Sequence, residues 1–183
     1  MTPLLAFHGV RLRRGGRLLF EDLDLRLGPT DALHVTGPNG SGKSSLIRLA
    51  AGLLQAAAGR VERTSVALAD DALAVDSELP LRRALQFWAP EPGPAMEAMG
   101  LAPLAHVPVR LLSSGQKKRA SLARVAASGA SLWLLDEPLN GLDGDGVERL
   151  DALVARHRSA GGAVLAASHN ALSGDWALLE LGR

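Results

Sequence analysis

An α/β fold with a mainly parallel sheet is predicted by three features of the 183-residue sequence. Short apolar runs of strand character alternate with helical patterns along the chain. A glycine-rich loop, GPNGSGKSS at 37–45, stands between one such run and one such helix. Two further apolar runs, SLWLL at 131–135 and AVLAAS at 163–168, each lead directly into polar residues capable of chemistry.

The elements follow in order. Leu4 to Val10 and Leu18 to Leu27 alternate apolar with polar residues, as in LFEDLDLRL, which is the period of half-buried strands and predicts an N-terminal antiparallel β edge. ALHVT, Ala32 to Thr36, is a short strand running into the glycine-rich loop, and SLIRLAAGLLQ continues as a helix beginning near Lys43. A strand is expected from Thr64 to Ala69, then the irregular, acidic DDALAVDSE and two short helices separated by the breaker APEPGP. Helical order resumes from Ser114 to Ala127. GDGVERLDALVARHRSA reads as an amphipathic helix with Val147, Leu150, Leu153 and Val154 on one face, and WALLEL closes the pattern. The expected organisation is one domain over 1–183, with a reduced helical insertion at about 71–128.

Composition narrows the function. With 47% hydrophobic residues the chain can bury an ordinary core. Net charge is only +1, and the basic runs RLRRGGR and QKKR are short enough to read as solvated faces, so no direct nucleic acid partner is expected. The absence of cysteine excludes disulfides, thiolate metal sites and a cysteine nucleophile. The start, MTPLLAFHGVRLRR, lacks the positive n-region of a secretory signal. The longest apolar stretch, LIRLAAGLLQAAAG, carries Arg48 and Gln55 and falls short of the roughly 20 residues a membrane span needs. No transmembrane segment of its own is expected, so any membrane role would run through a partner.

Gly37, Gly42, Lys43 and Ser44 satisfy G-x-x-x-x-G-K-[ST], the P-loop, with Pro38, Asn39, Gly40, Ser41 and Ser45 completing the cradle. The glycines let backbone N–H groups turn onto a phosphate, and the following helix offers its unpaired N–H groups and dipole. Lys43 is placed to reach the β- and γ-phosphates and Ser44 to ligate Mg²⁺. Downstream, the buried strand in LWLLDEP delivers Asp136 toward the metal and Glu137 toward the space beyond the γ-phosphate, where it would act as general base. A turn plus a helix cap is the alternative use of two adjacent carboxylates. His169, after AVLAAS, is placed to donate to the γ-phosphate or hold the attacking water. His34 reads as a core histidine, and His8, His106 and His157 as structural or surface residues.

LSSGQKKRASLAR, 112–124, resembles the signature sequence of the ABC ATPases, usually LSGGQ followed by basic and helical residues, with Ser114 where a glycine is usual. Alone, SSGQ would read as a serine–glycine helix cap. NGLD, 140–143, resembles the family's D-loop, and His169 falls at its switch position. The resemblance implies a P-loop NTPase of ABC ATPase type, hydrolysing ATP with Mg²⁺ and forming a homodimer on ATP. Ser113 and Gly115 would contact the γ-phosphate bound to the other chain's P-loop, with Asp143 contributing to the nucleotide site.

Two positions depart from the family pattern. The segment RLRRGGRLLF has no aromatic residue before Phe20 to stack on the base, leaving Arg13 or Arg14 for that contact, or weak base recognition. Where a metal-approaching glutamine is usual the chain has Asp70 or Ala72, of which only Asp70 offers a metal ligand. The small size, DEPLNGLDGDGVERL and GGAVLAASH together resemble the ATPase subunits of the haem-exporter complex of bacterial cytochrome c maturation. That likeness implies two copies beneath integral membrane permease subunits, peripheral at the cytoplasmic face of the inner membrane, with haem handled by the partners. The alternatives are the ATPase subunit of another ABC transporter, or a soluble ABC ATPase acting on nucleic acid or ribosomes. The latter usually shows paired cassettes, coiled-coil insertions or zinc-binding cysteines, which this sequence lacks.

Overall fold

The computed structural model describes residues 2–182; Met1 and Arg183, part of the expected single domain, lie outside the described residues. Two sheets form. The first is antiparallel, in the order β2–β1–β4, from β1 (Leu5–Arg14), β2 (Arg17–Leu27) and β4 (Ala58–Arg63). The second is parallel, in the order β5–β6–β7–β3–β8, from β3 (Ala32–Thr36), β5 (Val66–Ala69), β6 (Leu132–Asp136), β7 (Ala163–Ala167) and β8 (Ala177–Glu180). The helices are α1 (Lys43–Ala50), α2 (Leu81–Gln86), α3 (Gly93–Ala98), α4 (Ser114–Ala127) and α5 (Gly144–Ser159).

Alternate residues of the central strands enter two cores, which is why β6 and β7 read as continuous apolar runs. Leu132, Leu134 and Leu165 pack with Leu46 and Ile47 of α1 and with Leu5 and Phe7 of β1. Trp133, Leu135 and Val164 pack instead with Leu81, Met96, Leu122 and Leu150 of the other helices. On α5, Leu150, Leu153 and Val154 are buried while Val147 is half-buried.

Three local features differ from the sequence reading or were missing from it. The first strand runs past Val10 to Arg14, so that RLRRGGR, exposed from Arg13 to Arg17, forms the end of the β1–β2 hairpin, with Gly15 and Gly16 both at positive φ in its turn. The helix from Lys43 stops at Ala50 rather than running toward Gln55. Gly52 adopts φ 79, its N–H donating to the Leu49 carbonyl and that of Leu53 to the Arg48 carbonyl, a glycine stop that ends the helix. Finally, β4 lacks apolar alternation. Its residues are largely exposed apart from half-buried Val61, so only pairing with β1 makes it a strand.

Gly59 marks how close that pairing is. A Cβ there would meet the Gly9 and His8 carbonyl oxygens at 2.4 and 2.5 Å, at φ 82. Gly59→Ala should therefore lower stability by about 1–3 kcal/mol. Gly161→Ala, at φ 90 but with open space around it, should lower it by less. Urea denaturation of the two variants checks the ordering.

His157 lies flat on Trp133, centroids 3.8 Å apart and 10° from parallel, with its Nε2 3.3 Å from the Ala163 carbonyl. Burial lowers its pKa from the ordinary histidine value. The unfolded chain then binds a proton near pH 6.5 that the folded chain refuses. The stabilisation is fully present above that value and should diminish as pH falls through the window below it. Denaturation midpoints measured from about pH 8 to about pH 5 should show this slope, and His157→Phe should flatten it.

Candidate nucleotide site

The order of the parallel sheet builds the site. β7 lies between β6 and β3, so the C-terminal ends of these three strands release Asp136, His169 and the glycine-rich loop side by side. Ligands in open α/β sheets sit beyond these carboxyl ends. His34, on β3, is buried and 3.1 Å from the Ser168 carbonyl, a core contact as expected.

The loop folds tightly enough to exclude side chains where it turns. A Cβ on Gly37, at φ 139, would meet the Leu181 carbonyl oxygen at 2.4 Å and Ser41 Oγ at 2.9 Å. Gly42, at φ 107, is the N-cap of α1 and supplies no side-chain cap, so the first N–H groups of the helix are not capped by a side chain. Lys43 is buried and lays its ammonium across the loop, donating to the Gly37 and Pro38 carbonyls at 2.7 and 3.3 Å. Asn39, Gly40, Gly42, Lys43, Ser44, Ser45 and Glu137 line a cavity of about 340 Å³ with Arg14 and Leu19.

Ser44 Oγ donates to Asp136 Oδ1 at 3.1 Å. Burial, the largest influence on Asp136, raises its pKa, partly offset by the Ser44 hydroxyl. A desolvated carboxylate beside a hydroxyl, with no third acidic or histidine ligand clustered there among the described residues, fits Mg²⁺, which takes one or two protein oxygens and completes its shell with phosphate and water. Glu137 occupies left-handed backbone, φ 46, anchored by its N–H donating to the Ala167 carbonyl at 2.8 Å. A non-glycine residue held there stores about 1–3 kcal/mol of strain, here used to turn the side chain toward β7. Glu137 Oε2 lies 2.9 Å from His169 Nδ1, and Asn170 Nδ2 lies 3.3 Å from His169 Nε2. The network assigns the proton to Nδ1, which donates to the carboxylate while Nε2 accepts from Asn170.

Of the two candidate arginines, both exposed, Arg14 lines the cavity and donates from Nη1 to Ser45 Oγ at 3.3 Å, and Arg13 is not among the lining residues. Ser113 and Gly115 line a different cavity, with Asp143 and Gly141. Ser113 closes a reciprocal cap on α4: its hydroxyl accepts from Gln116 N–H at 3.2 Å and Gln116 Oε1 accepts from Ser113 N–H at 2.9 Å. Asp143 caps α5, accepting from Gly146 N–H at 2.9 Å, and pairs with Arg119. Those two contacts, the backbone one first, hold its carboxyl below the usual range. Asp70 lines neither cavity; it faces a third, with Asp71 and Lys118, and accepts from Ala72 N–H at 3.1 Å.

With this geometry in place, comparison with known proteins is decisive for the family. The sequence pattern of the family described as ABC transporter matches residues 20–140. The chain belongs to the ABC transporter family. Its ATP hydrolase fold is shared by the ATP-binding subunit of an ABC transporter at TM-score 0.84, 19% identity, covering 91% of this chain and 79% of that one. It is shared too by cbiO1 of Clostridium perfringens, part of the cbiONQ ABC transporter complex, at TM-score 0.78, 22% identity and coverages of 92% and 79%. Similar curated relatives are the cytochrome c biogenesis ATP-binding export proteins CcmA of Sphingopyxis alaskensis, 59% identical over 94% of this chain and 93% of the relative, and of Novosphingobium aromaticivorans, 53% identical over 90% and 87%. That of Pseudomonas putida is 39% identical over 94% and 92%.

Sequence reasoning passed over three residues that line the cavities described above: Leu19, Arg119 and Lys118. Leu19 and Arg119 carry no motif of their own. Lys118, read within a solvated QKKR run, falls on the same helical stripe as the buried Ser121, Leu122 and Val125, and that spacing was the available signal.

Asp136→Asn separates stability from function. A carboxyl whose folded pKa exceeds its unfolded value favours the fold below the unfolded pKa, and that contribution is lost as pH rises through the folded one. The nucleotide-free Asp136→Asn chain should therefore melt higher than wild type at pH 7 while hydrolysing ATP at least about tenfold more slowly. Calorimetry beside a phosphate-release assay reads both.

Proposed function

We propose that this chain is the ATP-hydrolysing subunit of a membrane complex of cytochrome c biogenesis, in which haem is handled by the membrane partners. The observation that carries the mechanism is the Glu137–His169 pair, 2.9 Å apart, beside the phosphate cradle. The N–H groups of the loop and of the start of α1, with Lys43, hold the phosphates of ATP. Arg14, which lines the cavity together with Leu19, offers a flat guanidinium to the base. Ser44 and Asp136 would hold Mg²⁺, which would supply positive charge to offset that of the phosphates.

Water is polarised by Glu137, which accepts its proton as the oxygen bonds to the γ-phosphorus. The bond from that phosphorus to the bridging oxygen breaks, and its electrons leave with ADP. His169 keeps the carboxylate oriented and donates through Nδ1. Ser113, Gly115 and Asp143 would serve the ATP of a second copy, making the active form a homodimer whose two nucleotides sit between chains.

No described helix is long and apolar enough to cross a membrane, so contact with permease subunits at the cytoplasmic face would use an exposed surface. Phe87, 84% exposed, and Trp88 beside it lie at an apolar groove formed with Leu73, Val75 and Leu79. Exposed apolar patches of this kind mark protein contacts. The cytochrome c biogenesis assignment is supported by the relatives named above.

Glu137→Gln should retain ATP binding, reduce turnover at least about a hundredfold and accumulate an ATP-bound dimer on size exclusion. Rapid turnover in that variant would remove Glu137 as the base. Co-purification from native membranes with ATP should recover cytochrome c maturation proteins and haem absorbance. Recovery of an unrelated permease would leave the ATPase reading intact and discard the haem assignment.

A further inference from the structure

Lys118 is only 9% exposed, on the face of α4 that packs toward β5 and β6. A lysine in such a place loses hydration and is retained where it has charge to answer. Its ammonium donates to the backbone carbonyl of Asp136 at 3.3 Å, at the end of the strand that presents Asp136 and Glu137. On its other side it lines a cavity of about 480 Å³ with Asp70 and Asp71, the turn that follows β5. Ser121 Oγ, fully buried one turn further along the same face, lines this cavity without a hydrogen-bond partner. The carboxylates acting on Lys118 are those of Asp71, Asp136, Asp70 and Glu137, from the ends of two adjacent strands. Burial nevertheless lowers its pKa.

We propose that Lys118 is a positioning residue for hydrolysis, fixing the end of β6 through the Asp136 carbonyl and tying it by charge to the Asp70–Asp71 turn. The reach of one ammonium joins three segments: the helix that begins at the signature serine, the strand end carrying the metal ligand and base, and the turn where a glutamine was expected. In this chain the charge of Lys118, acting through space, takes the place of an amide in linking that turn to the catalytic carboxylates. A shift of the turn is then felt at Asp136 and Glu137 without the turn touching nucleotide. The inference rests on the roles proposed above for Asp136 and Glu137.

The test is a double-mutant cycle on the full chain purified with its membrane partners, using Lys118→Met, Asp71→Asn and the pair. Asp71 is exposed and is not itself a candidate metal ligand. Lys118→Met should lower kcat about tenfold with KM for ATP changed less than about twofold, and Lys118→Arg should recover most of the loss. Asp71→Asn should lower kcat about threefold in the wild-type background and have no further effect beside Lys118→Met. Unchanged kcat in Asp71→Asn, or additive losses in the pair, would overturn the link to the turn, and the first of these can be read even where Lys118→Met does not fold. A KM that rises as far as kcat falls would overturn the positioning role. Glu137→Gln is run alongside: if it still turns over, the underlying reading fails, whereas an inactive Glu137→Gln with wild-type Lys118→Met rejects only this inference.

Discussion

The placement of β7 between β6 and β3 is the constraint on which the rest of the structure depends. Parallel strands must be joined by crossovers, and the chain spends nearly a hundred residues between β3 and β6 before returning to insert β7 beside both. Once that order exists, the phosphate loop, the acidic pair and the histidine emerge from adjacent strand ends. Packing energy from two cores holds a geometry that the site residues would not adopt unaided.

The site draws on that stability. Asp136 is an acid in a place that disfavours its charge, Glu137 sits in left-handed backbone, and Lys118 is a cation removed from water. Each is a local violation of what stabilises a fold, and they occur on or against a single strand end. Such clustering is expected where a protein uses strain and desolvation to preorganise charge. Arg119, by contrast, stabilises its surroundings: it pairs with Asp143 and Asp145 and so ties the start of α5 to α4.

Legibility in the sequence followed local physics. The boundaries of β3 and α4 were readable because each coincides with a strong signal, an apolar run entering glycine or a serine cap three residues before glutamine. The members of the phosphate loop were readable because loop, strand and helix are contiguous. β4 was not, since its strand character comes from β1 rather than from its own residues, and the helix end at Ala50 depended on a single glycine inside an otherwise apolar stretch. The choice between Arg13 and Arg14 was a matter of hairpin register, which alternates side chains across the sheet and cannot be read from two adjacent arginines. Lys118 was hidden because charge argued for the surface and periodicity for the interior, and periodicity prevailed.

The signature loop shows why the bland and the functional readings of one motif need not compete. Ser113 accepts the Gln116 N–H with a lone pair, so its own proton is still available to donate outward. An aspartate would cap the helix equally well, but in the proposed homodimer it would place a negative charge where the phosphate of a second chain's nucleotide would approach. Gly115 is required for a separate reason: a Cβ there would press on the Gly141 carbonyl at 2.8 Å, pushing the signature helix away from the loop that leads to Asp143. Serine and glycine are thus the residues that let one helix start be satisfied within its own chain, closely packed against the D-loop, and still receptive to an anion brought by another.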